Sequence, residues 1–302
     1  MSRLSIIIPS PGEPRDFEDT LASVLANRPR DSEILVPMRV SYEDPYDLGG
    51  EVGFLFFPEV RSPVELINES LPCAKGDVIH ILQPGLEVAE NWTDVPLELL
   101  QHDRTATVSP VWRVDGREVT GVRLTGTGRR KLVVRTESAS AAREPVGAVL
   151  ACGFHRRREL NVVGGFARNV PASLADVETA LRLSALGFQH VVAEESVVQG
   201  AWNAPRCSAW RRGRHEERMV RRRAVSRGRP ASRLGRLLTR VGASMVQPGL
   251  FGRLAYLAGR VHGAIDRGVE SSHAEWLAAT QKALEAAAER RSDAGPRWRR
   301  AA

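Results

Sequence analysis

The chain predicts an α/β fold: a doubly wound, mostly parallel sheet followed by a basic, helical C-terminal extension. Three observations predict it. Short apolar runs, each stopped by proline or glycine, alternate with segments whose apolar residues recur at helical spacing. Strands alternating with helices belong to parallel sheets, where every strand needs a crossover before the next. The sign of the charge then flips: residues 206–302 hold 22 Lys+Arg against 8 Asp+Glu (22 − 8 = +14), and residues 1–205 hold 21 against 28 (−7). Two units follow, a domain over 1–205 and an Arg-rich helical extension over 206–302.

The elements follow in order. Leu4–Ile8 is an apolar run ended by Pro9 and reads as a buried strand, and the turn-rich Ser10-Pro11-Gly12-Glu13-Pro14 comes next. Phe17, Leu21, Val24 and Leu25 mark a helix. Glu33–Val36 is a strand stopped by Pro37, and Phe54–Phe57 is another stopped by Pro58. Val64, Ile67 and Leu71 mark the second helix, and Val78–Leu82 is a strand halted at Gln83-Pro84-Gly85. Residues 115–145 are polar and rich in Arg, Gly and Thr, reading as strands or loops, while Gly147–Phe154 is apolar and strand-like. Ser173–Leu186 reads as a helix with Val177, Leu181 and Leu183 inward, closed by Gly187. Val191–Val198 is the last strand. In such sheets ligands lie beyond the carboxyl ends of the strands. Pro9–Glu13, Pro37–Ser41 and Gln83–Glu87 are therefore the loops in which to look for chemistry.

In the extension, Arg211–Arg229 is basic and poor in apolar residues. Leu234, Leu237, Leu238 and Val241 then share one helical face, with Arg233, Arg236 and Arg240 beside it. Leu250, Leu254, Leu257, Val261 and Ile265 continue the pattern, and Glu275–Arg290 is an Ala-rich helix. A basic helix with one apolar face suits the surface of an anionic membrane; the alternative is that the face packs on the acidic domain. Trp202 and Trp210 flank the Arg run without forming a repeated aromatic platform, so no nucleic-acid partner is expected.

No apolar run approaches the roughly 18 residues that span a bilayer. Met1–Ser10 is too short for a signal-peptide core. The expected place is the cytoplasm, with peripheral attachment at the inner face of the cell membrane as the reading of the extension. Cys73, Cys152 and Cys207 are distant from one another and suggest reduced, mostly buried thiols. His80, between Ile79 and Ile81, reads as packed in its strand, whereas His155 is expected to face an acceptor phosphate or water.

The order of these segments resembles glycosyltransferase family 2. "LSIIIPSPGEPRDFEDTLASVL" (Leu4–Leu25) is similar to the family's opening strand, loop and helix, and "VELINESLPCAKGDVIHIL" (Val64–Leu82) to its second helix and the strand before the metal motif. "HRRRELNVVGGF" (His155–Phe166) and "ADVETALRLSALGFQ" (Ala175–Gln189) are similar to its acceptor-side segment and catalytic helix. The resemblance implies a GT-A fold, a nucleotide-sugar donor and a glycan or lipid-linked acceptor. By position it puts Pro9, Glu13, Arg39, Ser41, Gln83 and Gly85 at the nucleotide, and Asp176 at the place of the general base.

The departures fall on the chemistry. The family's Pro-x-Tyr-Asn loop is here Pro9-Ser10-Pro11-Gly12. Its Asp-Asp-Gly-Ser loop is Met38-Arg39-Val40-Ser41, and its Asp-x-Asp is Gln83-Pro84-Gly85. Hard cations need one or two carboxylates beside the phosphates, so no metal is expected at Gln83–Gly85. Losing a metal's several kcal/mol of leaving-group stabilisation costs about 10³-fold or more in rate. Arg39 is a candidate replacement charge for the phosphates. Three functions stay open: sugar transfer by a metal-independent or altered route, binding of a glycan, lipid head group or partner without catalysis, and, least favoured, nucleic-acid binding.

Overall fold

The computed structural model describes residues 4–12, 17–135, 145–202, 205–228, 247–266 and 268–293. Its centre is a ten-stranded sheet. The strands are β1 (Leu4–Ile7), β2 (Ser32–Met38), β3 (Val52–Phe56), β4 (Val78–Ile81), β5 (Leu86–Val88), β6 (Thr105–Val114), β7 (Arg117–Leu124), β8 (Arg130–Val134), β9 (Phe154–Arg156) and β10 (Gln189–Gly200). They lie in the order β3-β2-β1-β4-β9-β6-β10-β5, with β7 added to β6 and β8 to β7. β1 pairs in parallel with β2 and β4, β2 with β3, and β6 with β10. β9 runs against both β4 and β6, so β6 and β10 point the same way as β1 to β4. The sheet is mixed and mostly parallel.

The helices are α1 (Glu18–Asn27), α2 (Pro63–Ser70), α3 (Asp94–Leu99), α4 (Arg157–Val162), α5 (Ala172–Ala185), α6 (Ala209–Ser226), α7 (Leu250–Ile265) and α8 (Val269–Asp293). β1 shows why the sheet is covered on both faces. Leu4, Ile6 and Ile8 join one core with Leu21 and Val24 of α1, while Ile7 joins a second core with Val64 and Ile67 of α2. A strand buried on both faces reads as a continuous apolar run, as this one does. α2 starts where its sequence says it should. Ser62 accepts a hydrogen bond from the Glu65 amide at 3.2 Å, and Pro63 occupies the first turn, where its missing N–H costs nothing. Gly187 (φ +85°) takes the left-handed turn after α5, where a side chain would be strained.

One expected strand is absent. Of the run Gly147–Phe154, only Phe154 enters a strand, β9, and Gly147 makes a single bridge to Val122. The rest folds back on itself beside β4: the Ile81 amide donates to the Gly153 carbonyl at 3.0 Å and the Gln83 amide to Ala151 at 2.8 Å. Leu150, Ala151 and Cys152 are buried there. The apolar run reported burial, which a compact turn shares with a strand. Of the three cysteines only Cys152 is buried; Cys73 is exposed.

The extension is helical where described, and α6 packs on the domain. Arg223 donates to the Leu124 carbonyl at 3.2 Å, Arg222 pairs with Glu178 of α5, and Met219 joins the first core. α6 and α7 meet backbone to backbone through glycines. A Cβ on Gly259 would come within 2.0 Å of the Trp210 carbonyl oxygen, and one on Gly263 within 2.5 Å of that of Arg214. The seam between them is polar. Arg260, 1% exposed, lies 3.1 Å from Glu217 and donates to the Thr127 carbonyl at 2.9 Å, and Tyr256 donates to Glu216. Arg214 and Arg218 pair with Asp266, and Arg221 with Glu270. These last pairs join the extension's own charges and leave its net +14 as it was, whereas Arg222 with Glu178 draws on a carboxylate of the domain. The face expected over Leu234–Val241 lies outside the described residues, and no helix among those described is long and apolar enough to cross a membrane.

Candidate functional site

The carboxyl ends of β1, β2 and β4 bring the three loops together. The Ser10 amide donates to the Pro37 carbonyl at 2.8 Å, and the Arg39 amide to Ser10 at 3.4 Å. The third loop is held from below by α1: Thr20 Oγ1 accepts from the Gly85 amide at 3.0 Å, and Asn27 Nδ2 donates to the Val88 carbonyl at 3.2 Å. Pro9, Arg39, Ser41, Gln83 and Gly85 therefore share one sheet edge. Pro9, Ser10 and Gln83 are buried, while Arg39, Ser41 and Gly85 are exposed. Glu13 lies outside the described residues.

The Gln83–Gly85 loop offers no carboxylate and is packed closely. The Gln83 side chain is 1% exposed, and its Nε2 has no hydrogen-bond partner. Gly85 has a left-handed backbone (φ +86°), and a Cβ there would sit 2.9 Å from the Ala201 carbonyl oxygen. From the other side, a Cβ on Gly200 would come within 2.2 Å of the Gly85 oxygen. The loop is packed backbone to backbone against the end of β10, which leaves no room for a carboxylate at position 85. Glu87, the nearest carboxylate along the chain, is exposed on β5 and accepts from Gln199 at 3.3 Å. The residues present do not fit a divalent cation between protein and diphosphate.

Asp176 reaches the same neighbourhood through the folded-back segment, since Ala151 holds the Gln83 amide and the Leu150 amide donates to Asp176 Oδ2 at 3.3 Å. Asp176 lies past the first turn of α5, which contains no acidic residue, so its place is not set by the helix dipole. It is set by Arg130 of β8. Nε donates to Oδ1 at 2.8 Å and Nη2 to Oδ2 at 2.6 Å, a two-pronged pair, and the Val177 amide donates to Oδ1 at 2.7 Å. Four donors thus meet a carboxylate with about four lone-pair sites. The Asp176 side chain is 1% exposed. In this arrangement no acceptor site is left for an incoming hydroxyl. Arg130 is the partner of Asp176 that the sequence did not disclose: it lies in the stretch read as variable, and nothing local distinguishes it from its neighbour Arg129.

The segment His155–Phe166 is pinned to α2. Asn68 donates from Nδ2 to the Phe166 carbonyl at 2.6 Å and accepts from the Phe166 amide at 2.9 Å, while Gly165 (φ +73°) brings the chain within reach. His155 faces neither phosphate nor water. It is 3% exposed, lies edge-on to Phe166 at 5.3 Å, and both ring nitrogens lack partners. Burial pushes its pKa down to about 3. His80 is packed, as expected: it stacks on Phe154 at 3.7 Å, accepts from Trp92 Nε1 at 3.2 Å, and is likewise pushed down to about 3 by burial.

No family model matches the chain, and no curated protein matches it. Solved structures do. TarS residues 1–349 of S. aureus in complex with UDP-GlcNAc aligns with a TM-score of 0.60 at 9% identity, over 94% of this chain and 92% of that one. GalNAc-T7 with UDP, GalNAc and Mn²⁺ aligns with a TM-score of 0.58 at 16% identity, over 80% of this chain; the match spans 54% of GalNAc-T7, about half its length. The mannosyltransferase PcManGT from Pyrobaculum calidifontis, in complex with GDP-Man and Mn²⁺, aligns with a TM-score of 0.51 at 17% identity, over 97% of this chain and 79% of that one. At these identities the likeness is one of fold: the chain has the GT-A glycosyltransferase fold.

Proposed function

We propose that this chain is a glycosyltransferase-like protein that engages a nucleotide sugar at the β1–β2–β4 edge without a divalent metal, and that it binds its sugar ligand rather than transferring it. The observation that carries this reading is the Gln83–Gly85 loop, closed by backbone against β10 where a metal's carboxylates would stand. Arg39, exposed at the same edge, supplies a charge suited to a diphosphate. The structural neighbours were solved with UDP, GDP-Man and UDP-GlcNAc, which supports a nucleotide sugar as the ligand class. Its companion is a glycan or lipid-linked acceptor at the Gly164–Phe166 side.

The experiment is thermal unfolding with UDP- and dTDP-sugars, once with EDTA and once with Mn²⁺. A ligand at 100 times its dissociation constant stabilises by about 2.7 kcal/mol. The same shift is expected in both buffers. A shift that needs Mn²⁺, or none in either buffer, would overturn the reading.

One observation favours a second reading, transfer by an altered route. Through Leu150 and Ala151, Asp176 stays joined to the Gln83 loop, where a base would be useful. Transfer then requires Arg130 to swing away. Under this reading Asp176→Asn loses about 10²–10⁴-fold of the transfer rate, the usual worth of a positioned base. A product assay that finds no transfer, or transfer indifferent to Asp176→Asn, removes Asp176 as a base.

A further inference from the structure

The described residues carry large exposed apolar side chains at eight positions, and five of these, Leu250, Phe251, Leu254, Val261 and Ile265, lie on α7. At about 100° per residue they fall, with Leu257, Ala258 and Ala264, on one continuous face about 140° wide. No charged residue interrupts that face; Arg253 borders one side and His262 the other. Exposure reaches 87% at Phe251 and 69% at Ile265, so the face is open along the whole helix. The opposite side, with Gly259, Gly263, Tyr256 and Arg260, is the one packed on α6. A monomer in water rarely leaves so long an apolar stripe uncovered.

We propose that the α7 face docks on an anionic lipid surface, with the helix axis in the plane of the interface. Charge selects this occupant. Arg214, Arg218, Arg221, Arg222 and Arg260 are matched by carboxylates inside the fold. Exposed Arg253 stands beside the face, and the sequence leading into α7, residues 229–246, contains Arg229, Arg233, Arg236 and Arg240 with no Asp or Glu. An apolar stripe bordered by Arg253, in an extension of net charge +14, suits acyl chains beneath anionic headgroups. The site is separate from the donor edge, so the proposal stands or falls independently of nucleotide binding.

The test is cosedimentation of the full chain with phosphatidylcholine vesicles and with vesicles containing one part phosphatidylglycerol to three of phosphatidylcholine. Binding is expected with the anionic vesicles at low salt, and it should fade in high salt as screening shortens the Debye length. Leu254→Asp and Ile265→Asp, both at exposed positions, should each weaken partitioning at least about tenfold. Circular dichroism of each variant confirms that the fold is kept. A wild-type chain that stays in the supernatant with anionic vesicles overturns the proposal. Binding unchanged in both variants overturns it too, because charge alone would then explain it. So does a wild-type dimer broken by Leu254→Asp in a chain that ignores lipid, which would identify a second copy as the occupant.

Discussion

Arg130→Met is expected to lower the stability of the folded chain by about 3 kcal/mol, because it leaves a buried carboxylate without its counter-charge. Asp176 would keep the Leu150 and Val177 amides but lose both guanidinium donors. Pairing the change with Asp176→Leu should recover most of the loss, since an apolar pair of similar volume usually replaces a buried ion pair at little cost. The cycle is closed by urea unfolding of wild type, the two single variants and the double. An Arg130→Met chain within about 0.5 kcal/mol of wild type, inside the range of an ordinary surface substitution, would show that the pair does not hold Asp176. The transfer reading would gain by that result, because a free carboxylate beside the Gln83 loop could accept a proton.

Stability should also fall steeply below neutral pH. His80 and His155 are neutral in the folded chain, with pKa values pushed down to about 3 by burial, while in the unfolded chain each titrates near its ordinary value of 6.5. Below pH 6.5 the unfolded state therefore holds more protons, and acid favours unfolding. The contribution is fully present above 6.5 and is lost progressively down to about 3. Two such groups give about 2.7 kcal/mol per pH unit at full slope. His190, pushed down to about 4 by burial, acts in the same direction. Glu159 and Glu216, whose carboxyls burial pushes up, act in the opposite one. Against a typical total of about 5–15 kcal/mol, unfolding without denaturant is expected by about pH 4. Urea midpoints between pH 7 and 5 measure the slope. His155→Leu should reduce it by about 1.4 kcal/mol per unit, one proton's worth. A midpoint that does not move between pH 7 and 5 would contradict this account.

The strands β1, β2, β3 and β4 and the helices α1, α2 and α5 were legible in the sequence, because each is specified within a few residues. Leu4–Ile8 is apolar on both faces and ends at a proline, and Ser62-Pro63 starts a helix on its own. The motif order also placed Pro9, Arg39, Ser41, Gln83 and Gly85 on one edge, since strand direction fixes where each loop emerges. Other features depended on contacts between distant parts of the chain. Gly147–Cys152 is as apolar as a strand, and it is the Cys152 amide donating back to the Val149 carbonyl that makes it a turn. That Asp176 is held by Arg130, 46 residues away, through both of its oxygens is a contact no local pattern announces. In α7 the period of the leucines was plain, but the face that packs is the glycine face. There the absence of side chains lets α6 approach backbone to backbone, so the leucines are left facing outward.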